Sequence, residues 1–358
     1  MIAETDRRLG ADWMNALPIR LVHSAKRFTA QIELRPLTPS KTLPLQLNPF
    51  PTESPTTEPQ GPLMIQSILN FRNAAIVWSA CILFATPSFA QEATPQPMPL
   101  KVLLVAGGCC HDYVTQTKLL KDGIEARINA VVTVELSEDT TTKATFDIYN
   151  SDDWADGYDV VIHDECSANV TEKPYVDRIL AAHRAGTPAV NLHCAMHSYR
   201  WGNFKAPVEP DADNGGWYEM IGVQSTSHGP KVPIDVIRTD ADHPITKGFG
   251  PWKTGNEELY NNLRVYAGTS ALVTGKQMTP PNKRELKKNP DAKPVEKSAV
   301  IAWTSEYGPK KTKVFSTSLG HQNETVSDDR YMDFVVRGLL WSTGNLTSDG
   351  KPAKSLAK

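Results

Sequence analysis

Two histidines bracket a cysteine where an apolar stretch ends, in Pro188-Ala-Val-Asn-Leu-His193-Cys194-Ala-Met-His197-Ser198. Neutral imidazoles bind divalent metals and a thiolate is a nucleophile, so this segment offers two kinds of chemistry. Three other segments have the same design, an apolar run that breaks into histidine and acidic residues: Gly107-Gly-Cys-Cys-His111-Asp112, His163-Asp164-Glu165 and Gly320-His321-Gln-Asn-Glu324. Parallel strands carry their carboxyl ends on one rim, where ligands of open α/β sheets bind. Four such ends on one rim predict a site, whereas an isolated histidine would more often be structural.

The elements that would hold those ends can be read from periodicity. Leu100–Ala106, Val131–Leu136, Tyr158–His163 and Pro188–Leu192 are short apolar runs suited to buried parallel strands. Between them lie helical stretches at residues 115–130 and 171–186, the second with Thr171 as a cap, Pro174 in its first turn and Gly186 at its end. This alternation predicts an α/β fold, a doubly wound, mostly parallel sheet. Later strands are expected at Val232–Arg238, Ala271–Thr274, Ala299–Thr304 and Lys313–Ser318, with a closing helix over Asp328–Thr343 capped by Ser327. Pro280–Lys297 is polar and reads as a surface excursion.

The chain has 358 residues, and its ends differ from its middle. Residues 1–63 lack an apolar period and hold eight prolines between Pro36 and Pro62, a composition that favours disorder. Residues 64–90 have a basic start ending at Arg72, a short apolar run over Ala74–Ala85 and a small-residue end at Ser88-Phe89-Ala90. That is the pattern of a secretory signal peptide cleaved after Ala90, with Met64 as the expected true start and a periplasmic or secreted product. The apolar run is short for a transmembrane helix, so membrane contact is expected only through this segment. Residues 91–99 read as a linker, 100–346 as the folded domain and 347–358 as a flexible tail.

A formal net charge of −2 shows no basic excess, which removes the electrostatic argument for nucleic acid as a partner. The oligomeric state stays open. Of five cysteines, Cys81 lies in the leader and Cys109, Cys110, Cys166 and Cys194 remain, an even number suited to an oxidising compartment. A pairing of Cys166 with one of the adjacent cysteines and a set of free thiols are both compatible with the spacing.

Taken in order, Ala-Gly-Gly-x-x-His111-Asp, Leu-His193-Cys-Ala-Met-His197-Ser, Gly215-Gly216-Trp-Tyr, His243-Pro-Ile-Thr246, Asn256-Glu257-Glu258-Leu-Tyr260 and Leu-Gly-His321 with Arg337-Gly-Leu-Leu-Trp341 resemble the ThuA (trehalose utilisation) family. The resemblance spans residues 100–344. It implies a flavodoxin-like, class I glutamine amidotransferase-like fold and a role in sugar or glycoside catabolism, with keto-glycosides among the substrates.

Two mechanisms fit the residues. In the first, a metal-dependent carbohydrate-active hydrolase, lyase or isomerase, His193, His197 and His321 bind a divalent metal such as zinc, joined by His111 or Glu258. Asp164, Glu165, Glu257 or Glu258 then move protons. Glu257 and Glu258 adjoin, so one faces inward, and family position favours Glu258. In the second, Cys194 is the nucleophile, with His321 and Glu324 in an amidotransferase-like arrangement. The match is incomplete, because His193 and Ala195 stand where glycines flank such an elbow, and Glu324 lies one residue too far from His321. A non-catalytic carbohydrate-binding or scaffolding module is the third reading. For a sugar ligand, His111, Trp217, Tyr218 and Tyr260 are the expected binding residues, with Trp217 placed at the pocket by the turn at Gly215-Gly216.

Overall fold

The computed structural model describes residues 97–358. The disordered extension, the signal peptide and most of the linker expected from the sequence lie outside the described residues. No helix among the described residues is long and apolar enough to cross a membrane.

The first half alternates strand and helix: β1 (Leu100–Gly108), α1 (Tyr113–Arg127), β2 (Ala130–Leu136), β3 (Val160–Cys166), α2 (Lys173–Ala185) and β4 (Ala189–Leu192). After a 3₁₀ turn over His193–His197 and α3 (Gly216–Ile221) come β5 (Val223–Arg238), β6 (Trp252–Val265) and β7 (Ser270–Thr279). The exposed α4 (Lys283–Lys288) separates β7 from β8 (Val295–Tyr307), and β9 (Thr312–Thr317), α5 (Asn323–Val326) and α6 (Asp329–Ser342) follow.

All nine strands form one sheet in the order β2-β1-β3-β4-β9-β8-β7-β5-β6. From β2 to β9 every pairing is parallel, and from β9 to β6 every pairing is antiparallel. The sheet is therefore mixed, which corrects the expectation of a mostly parallel one. Hairpins do not need the apolar runs that mark buried parallel strands, so the antiparallel half was underestimated.

Helices cover both faces of the parallel half. On one face α1 and α6 bury Leu120, Ile124, Phe334 and Leu339 against β1, β3 and β9; on the other α2 and α3 bury Ile179, Leu180, Trp217 and Met220. This double cover explains why every residue of β3 is buried. Each large apolar side chain so buried contributes about 1.5–3 kcal/mol before entropy is counted.

Local signals fix the helix ends. The Asp112 side chain accepts from the Thr115 N–H at the start of α1, and Gly186 ends α2 in a left-handed conformation. Glu172 and Asp328, each one residue beyond the expected Thr171 and Ser327, stand at the starts of α2 and α6. The expected flexible tail is instead docked: Ile128 bridges Ala357, the Asn129 N–H donates to the Leu356 carbonyl at 2.9 Å, and Leu356 is buried.

Candidate functional site

The carboxyl ends of β1, β4 and β9 bring His111, His193 and His321 together, with one ring nitrogen of each within 4.8 Å of the others. Each arrives by a tight turn. Gly108 has φ +95°, and a Cβ there would lie 2.4 Å from the Cys166 carbonyl oxygen, so only glycine lets β1 turn past β3 toward His111. Gly320, at φ +117°, would drive a Cβ to 2.6 Å from the Tyr331 hydroxyl. His193 itself sits at φ +36°, a sparsely populated conformation for a residue with a side chain.

Backbone acceptors fix the imidazoles. His193 Nδ1–H donates to the Ser318 carbonyl at 2.7 Å, which directs Nε2 to the centre. That Nε2 lies 3.2 Å from His321 Nδ1 and 3.2 Å from the Tyr260 hydroxyl. His111 Nδ1 lies 3.4 Å from the His321 carbonyl. From α1, Gln116 Nε2 donates to the Gly320 and His321 carbonyls at 3.2 and 3.3 Å. Glu258 completes the cluster, at 3.6 Å from His193 Nε2 and 3.5 Å from His321 Nδ1. Its neighbour Glu257 points elsewhere and accepts the N–H groups of His321 and Gln322 at 3.2 and 3.3 Å, holding the β9 turn.

Burial favours the neutral form of two of these rings, His111 and His321. Burial, then His193 and His321, push His111 down to about 2, and burial followed by His193 pushes His321 down to about 4. Burial alone would raise the Glu258 carboxyl, but the hydrogen bond and charge of His193, then His228 and His321, hold it below its usual range. Neutral imidazoles beside an ionised carboxylate are the state in which such groups ligate metal.

A cavity of about 520 Å³ opens onto the cluster, lined by His111, Arg200, His228, Lys231, Glu258 and Tyr260 among others. His228 and Lys231 were missed by sequence reasoning. His228 Nδ1 is 3.4 Å and Lys231 Nζ 3.9 Å from Glu258, both on a stretch of β5 broken by register shifts that hide any alternation.

Several expected site residues stand elsewhere. His197 does not join the triad: its Nε2 meets Ser225 Oγ at 2.9 Å and its ring stacks on Tyr260 at 4.3 Å. The turn that carries it is 3₁₀, so residues four apart diverge by about 120° instead of sharing a face. Glu165 faces the α2 side, bonded to His163 Nδ1 at 3.0 Å and the Tyr199 hydroxyl at 3.2 Å. Asp164, on the opposite face of the strand, is buried, and burial followed by Glu165 raises its carboxyl well above the usual range. Trp217 is core, donating to the Ala195 carbonyl at 2.8 Å, and Tyr218 packs with Val208 and Tyr266. Tyr260 and His111 do line the cavity.

Cys194 is not a free thiol. It pairs with Cys166, and Cys109 pairs with Cys110, one of the three full pairings that four cysteines allow and neither the Cys166 link to the adjacent pair nor the free thiols. Glu324 is exposed on α5 and makes no bond to His321, so the amidotransferase-like arrangement is absent. Cys110 is exposed and Cys166 and Cys194 are buried. Partial reduction followed by alkylation should therefore label Cys109 and Cys110 first, read by peptide mass shifts.

The pH dependence of stability follows from the depressed histidines. Below 6.5 the unfolded chain takes up protons that folded His111 and His321 refuse down to about 2 and about 4. Stability should thus be full above pH 6.5 and fall as pH drops toward 4. Melting temperatures recorded from pH 7.5 to 4.5 should show this slope, and His111→Gln should make it shallower, with His183, His197 and His321, also depressed by burial, retaining the rest.

The model of the trehalose utilisation family, ThuA, matches residues 101–342. The chain belongs to the ThuA family. No curated protein matches it. Among solved structures, a ThuA-like protein from Parabacteroides merdae is similar at 17% identity, covering 72% of this chain and 97% of its own, with a TM-score of 0.47. A cytoplasmic protein from Salmonella typhimurium LT2 is 11% identical over 68% of this chain and 99% of its own, TM-score 0.39. A β-galactosidase from Bacillus circulans is 10% identical over 68% of this chain and 31% of its own, TM-score 0.40. ThuA membership associates the chain with sugar metabolism, and its mixed sheet with flanking helices agrees with a flavodoxin-like, glutamine amidotransferase-like fold.

Proposed function

We propose that this ThuA chain is a carbohydrate-active enzyme, a hydrolase or lyase of glycosides and keto-glycosides, with a divalent metal such as zinc held by His111, His193 and His321. The observation that carries the reading is the convergence of three imidazoles from distant strand ends on one point beside Glu258. The donor set fits the group: imidazole nitrogen ligands, an adjacent carboxylate, and a His193 Nδ1–H anchored on a backbone carbonyl, as metal-bound histidines usually are. A bound ion would supply Lewis acidity to a sugar carbonyl or to water.

The chain's own residues supply the proton transfers. In a keto-glycoside the carbon beside the carbonyl is acidified, and a base there with an acid at the glycosidic oxygen suffices for elimination. Glu258, ionised and facing the cavity, is the base. The Tyr260 hydroxyl stays protonated, because burial and then Glu258 raise it well above its usual value, and it is the donor. Arg200 and Lys231 line the walls and suit sugar hydroxyls as donors.

The leader-like pattern of residues 64–90 supports a periplasmic or secreted location, and paired cysteines suit that compartment. The test is incubation of metal-loaded protein with a panel of disaccharides and their 3-keto forms. Product that disappears with chelator is the expected result. Failure to retain any first-row ion, with turnover indifferent to chelator, would overturn the metal. Affinity without product would make the chain a binding module.

A further inference from the structure

Four cysteines line the cavity at the histidine cluster, and the proposed chemistry uses none of them. The register of β1 on β3 sets Gly108 against Cys166, so closely that only glycine fits, and this seats Cys109 over the end of β3. Its Sγ lies 3.5 Å from Cys166 Sγ, sulfur against sulfur. The Cys109–Cys110 disulfide therefore touches the Cys166–Cys194 disulfide. The two differ in access: Cys110 is exposed and Cys109 partly so, whereas Cys166 and Cys194 are only 4% and 6% exposed.

A disulfide forms when a thiolate attacks a sulfur that is already oxidised, so oxidation requires contact between the two. In the folded chain a dissolved oxidant meets Cys110 and Cys109 first, and the buried cysteines meet Cys109. The frame around the buried pair is held by other bonds. Ser198 Oγ accepts the Ser167 N–H at 2.8 Å and donates to the Glu165 carbonyl at 2.6 Å, which ties the end of β3 to the turn after β4. Cys166 and Cys194 thus stay side by side as thiols, ready to be joined.

We infer that Cys109–Cys110 is the oxidant of Cys166 and Cys194, a relay that draws its oxidising power from a dissolved disulfide of the glutathione class. The Cys166 thiolate attacks Cys109 Sγ; the Cys109–Cys166 bond forms, and Cys110 leaves with the electron pair and takes up a proton. Cys194, as thiolate, then attacks Cys166 Sγ; the Cys166–Cys194 bond forms, and Cys109 leaves and is protonated in its turn. The electron pair has moved from the buried cysteines to the exposed ones. The dissolved disulfide accepts it there, becoming a pair of thiols, and Cys109–Cys110 is restored. The relay closes the bridge between β3 and the turn that carries His193. It depends neither on the metal nor on the carbohydrate reading above.

Re-oxidation of the reduced, folded full chain with glutathione disulfide tests it, with samples quenched in acid, alkylated and mapped by peptide mass. Replacing the exposed pair, Cys109→Ser with Cys110→Ser, should slow closure of Cys166–Cys194 at least about ten-fold, since a sulfur held in contact outcompetes a dissolved one by its effective concentration. Circular dichroism of that variant checks that its fold is kept. A second variant traps the middle step. In Cys194→Ser the relay has no final attacker, so alkylation of the released Cys110 should leave Cys109 joined to Cys166 in one linked pair of peptides. Equal closure rates with and without the exposed pair, or a Cys194→Ser chain in which Cys166 is never joined to Cys109, would overturn the relay.

Discussion

His193→Asn should lose metal and turnover together. Asparagine tolerates the left-handed backbone at this position, and its Nδ2 can still reach the Ser318 carbonyl, so the turn survives while Nε2 disappears. That nitrogen faces His321, Tyr260 and Glu258 at once. Loss of a group that only orients a metal ligand costs roughly 10–100-fold in affinity or activity, so deletion of a ligand should exceed about 100-fold. Metal content by plasma mass spectrometry and turnover of a keto-disaccharide are the paired measurements. An asparagine variant with full metal occupancy and wild-type rates would remove the imidazole centre from the mechanism.

Phe315→Ala should produce a large loss of stability. Its ring is fully buried on β9, edge-on to Phe334, and lies flat against the α6 backbone: a Cβ on Gly338 would fall 2.1 Å from Phe315 Cδ1. Truncating a buried phenylalanine costs about 3–5 kcal/mol, and for a domain of this size each kcal/mol lowers the melting temperature by about 2–4 °C, so a fall near 10 °C is expected. Adding Gly338→Ala to that variant should return part of the loss, since its methyl enters the vacated space and alanine favours the helix by about 1 kcal/mol. Alone, Gly338→Ala should destabilise by overpacking. Thermal unfolding of the four chains closes this cycle, and strictly additive effects would mean that ring and helix do not touch.

The parallel half of the sheet was legible because double burial leaves an unmistakable composition. Leu100–Ala106, Tyr158–His163 and Pro188–Leu192 read as strands on apolar content, and the ends of the first and third pointed to His111 and His193, while the expected metal set of His193, His197 and His321 took in His197, which stands apart, and gave His111 only as an additional ligand. The strand β6 was not legible. It is an edge strand carrying Lys253, Asn256, Glu257, Glu258, Asn261 and Asn262, and buried polar side chains such as Glu257 are satisfied by backbone N–H groups that no periodicity reveals. His197 misled for a local reason, the tight winding of its turn, and Trp217 because adjacent glycines mark a close approach as readily as a pocket. Residues 347–358 have no amphipathic pattern, yet one leucine seated in the core is enough to hold them.

The position of β9 has a consequence for biogenesis. It is the last strand to be synthesised and lies at the centre of the sheet, between β4 and β8. A nascent chain emerging from the ribosome therefore holds two half-sheets with unpaired edges until residues 312–317 have cleared the exit tunnel. Open edges of this kind recruit other chains, so chaperone engagement late in translation should decide the yield of native protein.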